Sequence, residues 1–261
     1  MLCGTAESEK NGLKLVEGSM LKGLKDITID TLPLEYKLQI KRTPCRVEII
    51  LKESEFKMRY ELFKRLNTGG EGLSRQEIRN CIFRGLDSRY SEFIAELSKN
   101  NIFRDIVNIS VSNEEKMYYE ELVLRYLTLK NKGTRYPQAN IQDYMDDYLE
   151  SQCTEFDEVQ METDRVMFSN IMKILEELKD ENIFKLGKRY FTTSMYDAIM
   201  LSLSDSTVDL ENVNINQLGE KIVILKESEA FNKYVGSASS NPTSITNKVK
   251  IAKKVLLDIT E

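Results

Sequence analysis

Apolar positions along the chain change their period near residue 53. Upstream they come in short blocks: Leu13-Lys14-Leu15-Val16 predicts an edge strand, and Cys45–Leu51, with β-branched Val47, Ile49 and Ile50, predicts another. Between them Pro33 opens a short helix expected to run through Ile40. From residue 54 the repeat is helical. Phe56, Tyr60 and Phe63 fall at i, i+4 and i+7, with Leu66 one turn on, so 54–66 reads as an amphipathic helix with Ser54 as its N-cap. Asn67-Thr68-Gly69-Gly70 should end it, with Gly69 or Gly70 at positive φ, because glycine takes the left-handed cap that other residues resist. Ser74 followed by Glu77 is a capping-box pattern announcing a second helix over 75–83, with Ile78, Cys81 and Ile82 on its apolar side.

Beyond residue 90 the pattern is almost entirely helical. Tyr119, Leu122, Val123, Tyr126 and Leu127 form one stripe; Ile141, Tyr144, Met145, Tyr148 and Leu149 form the next, after a Gly133/Pro137 turn. Further stripes run through Ile171, Ile174, Leu175 and Leu178, through Met195, Ile199 and Leu203, and through Ile245, Val249, Ala252 and Leu256. The expected organisation is α+β but predominantly α-helical: a small mixed region over 12–90, then a helical bundle over 91–261, with no fixed-period repeat.

Composition removes whole chemistries. The chain has 261 residues, 37 Lys and Arg against 42 Asp and Glu, and no histidine. Ser-His-Asp and Cys-His catalysis, histidine-dependent nucleases and the usual histidine-containing zinc sites are therefore excluded. Cys3, Cys45, Cys81 and Cys153 form no C-x-x-C pair, so neither a cysteine-only metal site nor a disulfide framework is expected, and scattered thiols fit a reducing cytoplasm. The first residues do not read as a signal peptide, and no apolar run approaches the ~20 residues of a membrane span. A cytoplasmic protein without membrane contact is expected, and the formal charge of −5 argues against a uniformly basic nucleic-acid coat.

Three segments invite a functional reading. Gly18-Ser-Met-Leu-Lys-Gly23 imitates the start of a P-loop, but Leu24-Lys25 stands where Lys and then Ser or Thr are required, so the motif fails. The carboxylates between Asp143 and Asp164 mostly lie opposite apolar stripes and read as a solvated face. Residues 65–80 are different. Adjacent Gly69 and Gly70 let backbone N–H groups converge into an anion-binding nest, the following helix aims its positive end at the same place, and Arg65 and Arg79 add charged forks. From Lys57 to Arg89 there are eight basic residues against four acidic ones, a net positive stretch in a net negative chain. The competing reading is a glycine-capped helix hairpin with surface arginines.

The run Phe63-Lys-Arg-Leu-Asn-Thr-Gly-Gly-Glu-Gly-Leu-Ser-Arg-Gln-Glu-Ile-Arg-Asn, continuing to Gly85, resembles the F-x-R-L-N-T-G-G-x-x-L-S-x-Q-E-I-R-N segment of the GmrSD restriction endonuclease N-terminal domain family, of the ParB/sulfiredoxin-like superfold. Residues 12–51 are similar to the stretch before that motif, and 119–129, 190–200 and 237–254 more weakly to the later helical region. The resemblance implies a domain of prokaryotic defence against foreign DNA that binds and hydrolyses a nucleoside triphosphate and governs a nuclease. Read from the residues, the expected phosphate site is Arg65, Asn67, Gly69, Gly70 and Arg79. The family's upstream Asp-Gly-Gln-Gln-Arg motif, linked to hydrolysis, has no counterpart: the sequence contains no Asp-Gly pair. The expectation is a truncated or split domain that retains a nucleotide-binding loop, with no catalytic and no metal-binding residue. It would be inactive alone, and its partners would be DNA or a chain supplying the missing N-terminal half, which would leave an exposed sheet edge or core face near residues 13–51. The alternative is a non-enzymatic interaction module that regulates a full-length relative.

Overall fold

The computed structural model describes residues 14–15, 23–44, 47, 56–66, 72–137, 140–187, 191–236 and 238–257. The chain forms two compact units, residues 1–54 and 55–261. The division therefore falls at the change of hydrophobic period and not near residue 90. Helices from 75 to 98 carry a buried face and pack on helices further along the chain, which draws them into the larger unit.

In the first unit Lys14 pairs with Thr28 in an isolated bridge, and Leu15 exchanges backbone bonds with Ile27 and Asp26. Asp26 takes a left-handed φ of 63°, which an aspartate tolerates at a turn. Pro33 then starts α1 (Leu34–Arg42), as its fixed φ suits a helix start. The expected strand at Cys45–Leu51 lies, apart from Val47, outside the described residues.

The second unit is helical throughout: α2 (Phe56–Leu66), α3 (Arg75–Phe83), α4 (Ser88–Ser98), α5 (Asn101–Val107), α6 (Val111–Glu115), α7 (Tyr118–Lys132), α8 (Ile141–Thr154), α9 (Glu158–Glu177), α10 (Thr193–Leu203), α11 (Ile215–Glu227), α12 (Glu229–Asn232) and α13 (Pro242–Leu257), with a 3-10 turn at Leu210–Asn212. Short polar side chains set the starts. Asp87, Asn100, Asn140, Asp157, Thr192, Asn214 and Ser228 each accept a backbone N–H of the first turn, contributing about 1 kcal/mol apiece. Among the described residues the only β pairings are two isolated bridges, and no helix is long and apolar enough to cross a membrane.

α7 and α10 form the centre. Every residue of α10 from Ser194 to Leu203 is buried, and α7 is buried all round from Leu122 to Leu129. α13 lies along α10, α4 and α8 cover α7, α9 packs on α5 and α4, and α11 and α12 close over α13. The stripes expected at 119–127, 141–149, 195–203 and 245–256 are buried as read. Edge-to-face aromatic pairs, Phe103 with Phe168 and Phe184 with Tyr196, tie these layers together. The buried Tyr196 hydroxyl donates to the Leu122 carbonyl at 3.1 Å, so the core carries no orphaned phenol there.

That core also holds charges. Arg125 on α7 makes a two-pronged pair with Asp197 on α10, Nε to Oδ1 at 2.7 Å and the second nitrogen to Oδ2 at 2.6 Å. Lys248 on α13 is fully buried, with Nζ donating to Ser194 Oγ at 2.9 Å and to the Ser239 carbonyl at 2.8 Å. Burial pushes its ammonium from an ordinary value near 10.5 down to about 8; Asp197 opposes the shift and Arg125 adds to it. A depressed lysine means that the unfolded chain binds more protons than the folded one between pH 8 and about 10.5, so stability should rise with pH across that window. Urea midpoints of wild type and Lys248→Met at pH 7.5, 9 and 10 check this. The difference should move in favour of wild type by about 2–3 kcal/mol over that range, and a flat difference would show that burial does not depress the Lys248 ammonium.

Candidate functional site

The hairpin around the glycine loop is built from α2 and α3, which pack on each other. α3 begins at the expected capping box: Ser74 Oγ accepts the Glu77 N–H at 3.2 Å, and Glu77 Oε2 accepts the Ser74 N–H at 2.6 Å. Ser74 Oγ also donates to the Lys116 carbonyl at 2.7 Å, so the first turn is tied to the chain entering α7.

α3 meets α8 through two arginines one turn apart. Arg79 is completely buried: its Nε donates to Asp146 Oδ1 at 2.6 Å, one terminal nitrogen to the carbonyl and the side-chain oxygen of Gln142 at 3.0 and 2.6 Å, and the other to Gln76 Oε1 at 3.2 Å. Glu121 stands 3.8 Å away and is itself bonded by Gln142 Nε2 at 2.9 Å. Arg75 reaches the same carboxylate from one turn earlier, at 2.8 Å, pairs with Asp143, and donates from Nε to the Tyr60 hydroxyl of α2 at 3.2 Å. Asp146 thus takes an arginine on each oxygen. Burial works against the Arg75 charge, yet Asp146, Tyr60 and Asp143 together outweigh it and hold the guanidinium above its ordinary value. Burial, reinforced by Asp146, pushes the Tyr60 phenol up to about 12, so it stays protonated as a fixed strut between α2 and α3.

Three readings change at this point. Arg79 is buried; its donors are spent on α8 and on its own helix, and it acts as an internal clamp. Cys81 is exposed, while Gln76, Arg79 and Phe83 join Ile78 on the buried face, because polar side chains with a full set of partners can occupy positions an apolar pattern cannot mark. The carboxylates of 143–164 are not one solvated face. They divide between α8 and α9; Asp146 belongs to the clamp, and Asp164 is buried, accepting from Lys130, Asn131 and Gln160. Glu155, Asp157, Glu158 and Glu162 are exposed as expected, and no group of His, Cys, Asp or Glu suited to a metal ion occurs among the described residues.

Arg65 is exposed in the last turn of α2, at the entrance to the loop. Asn67, Gly69 and Gly70 lie outside the described residues, as does the expected positive φ. The structure therefore fixes both supports of the loop and separates the two candidate arginines: Arg65 lies at the surface, Arg79 inside. The local positive charge also shrinks, since Arg75 and Arg79 are balanced by Asp143, Asp146 and Glu121, and Arg89 is paired with Asp87. The residues that reading for chemistry passed over are Tyr60, Arg75, Gln142 and Asp146. Their signal was a matched pair of i, i+4 spacings, Arg75/Arg79 and Gln142/Asp146. No family model, curated protein or solved structure matches the chain.

Proposed function

We propose that this chain is a GmrSD-type domain of the ParB/sulfiredoxin-like kind, related to restriction of foreign DNA, whose glycine loop binds a phosphate-bearing ligand without cleaving it. The observation that carries this reading is the Phe63–Gly85 segment, in which Arg65 stands in the last turn of α2 and Asn67, Gly69 and Gly70 follow it in the sequence before α3. The geometry gives support on three counts. Arg65 is exposed at the loop entrance, the capped start of α3 follows the loop, and the Arg75–Tyr60 strut and the Arg79–Asp146 clamp keep α2, α3 and α8 in register. Adjacent glycines let backbone N–H groups turn towards an anion, and Arg65 supplies the charge-assisted fork. Arg79 serves as a positioning residue. Hydrolysis is not assigned, because the chain holds neither an Asp-Gly pair nor a histidine base.

Calorimetric titration of ATP, GTP and a short DNA duplex into wild type and Arg65→Ala tests the reading. A charge-assisted contact contributes about 1.5–3 kcal/mol, so Arg65→Ala should weaken binding roughly ten- to a hundredfold. Phosphate release from either nucleotide should stay at the level of a buffer blank. Equal binding without Arg65, or none at millimolar ligand, would leave the hairpin a structural element only.

A further inference from the structure

The burial of Arg79 takes one of the two expected cations away from the proposed phosphate site. The fold brings another basic residue to the start of α3 from a distant part of the chain. Ser74, the N-cap of α3, donates from Oγ to the Lys116 carbonyl at 2.7 Å. Lys116 caps the end of α6, is exposed, and forms no ion pair among the described residues, whereas nearby Glu114 is held by Arg104 at 2.7 Å.

Local backbone geometry keeps Lys116 in place. Met117, the next residue, lies in the left-handed region at φ 58°, which a long side chain disfavours, and α7 starts there without a side-chain cap. Two contacts from α3 maintain this turn: the Ser74 hydroxyl on the preceding carbonyl, and Asn80, whose Nδ2 donates to the Met117 sulfur at 3.1 Å. The α6–α7 junction is thereby fastened to the helix that follows the glycine loop. Electrostatics at the start of α3 also call for an added charge. Glu77 places its carboxylate on the Ser74 N–H at 2.6 Å, and that negative charge offsets the positive end of the helix. An anion bound there needs cations from outside α3, and Arg65 in the last turn of α2 is one.

We propose that Lys116 is the second cation of this site, in the role that buried Arg79 does not fill. The proposal rests on the phosphate-binding reading of the glycine loop and adds to it a residue outside the Phe63–Gly85 segment. Lysine suits the part, as a compact point charge on a flexible four-carbon stem that can follow a phosphate group.

Calorimetric titration of ATP and GTP into wild type, Lys116→Ala, Lys116→Arg and Lys132→Ala tests this. Lys132 is an exposed lysine at the other end of α7, about 20 Å of helix away, so its loss removes the same charge from a different place. Lys116→Ala should weaken both nucleotides about tenfold and by the same factor, since the phosphates are common to them; Lys116→Arg should stay within about threefold of wild type and Lys132→Ala within about twofold. Both positions are exposed, so melting should show the variants folded. Raising the salt should weaken wild-type binding more steeply than that of Lys116→Ala. Undiminished binding in Lys116→Ala, an equal loss in Lys132→Ala, or a loss confined to one nucleotide would overturn the role of Lys116 and leave the loop reading standing. A wild type that binds neither nucleotide would remove both together.

Discussion

Asp197→Ala should lose about 3–5 kcal/mol of stability, because it strands the buried Arg125 guanidinium, for which no other ion pair occurs among the described residues. The neighbouring charge sharpens the effect. Lys248 lies close enough for Asp197 to raise its pKa and for Arg125 to lower it, so removing the carboxylate leaves two cations facing each other across α7, α10 and α13. For a unit of this size a loss of that order lowers the melting temperature by roughly 10–15 °C. Urea unfolding of the single variant and of Arg125→Met/Asp197→Leu checks the cause. The double variant should cost clearly less than Asp197→Ala, since a packed apolar pair strands no charge. Similar losses in both would point to packing and not to the charge.

Asp146→Ala should cost a comparable 3–5 kcal/mol, because one carboxylate serves the buried Arg79 and the half-buried Arg75 together. Its consequence differs from that of Asp197. Losing Asp146 removes the carboxylate that the two arginines share and leaves α3 tied to α8 by Arg79–Gln142 and Arg75–Asp143 alone, so the supports of the glycine loop are held less firmly. Ligand binding should fall with stability in this variant, whereas Arg65→Ala should reduce binding and leave the melting temperature within about 2 °C of wild type. Measuring both quantities on both variants separates a positioning role from a contacting one.

The helical bundle was legible because its stripes repeat at 3.6 residues and its caps are short polar residues placed just before them. Every apolar residue read into the Tyr119–Leu127 and Ile141–Leu149 stripes is buried. The clamp was not legible, for a physical reason. Hydrophobic period reports which side chains leave water by being apolar, and Arg79, Asp164, Asp197 and Lys248 leave water by being paired, which depends on partners tens of residues away. Arg79 therefore looked like a surface residue able to reach a ligand. Cys81 failed in the opposite sense, apolar in type and exposed in fact, because α3 turns its polar clamp inward. Of the candidate site, the capping box and both helix ends were readable from local chemistry alone.

The glycine amides give the most direct test of the proposed function. With 12 glycines in the chain, selective glycine ¹⁵N labelling yields a sparse spectrum in which Gly69 and Gly70 can be assigned by substitution. On titration with ATP the proposal requires both amides to shift and saturate in wild type, with the shifts lost or moved to roughly tenfold higher ligand in Arg65→Ala. Amides of Gly69 and Gly70 that stay still while others move, or that move equally without Arg65, would contradict it.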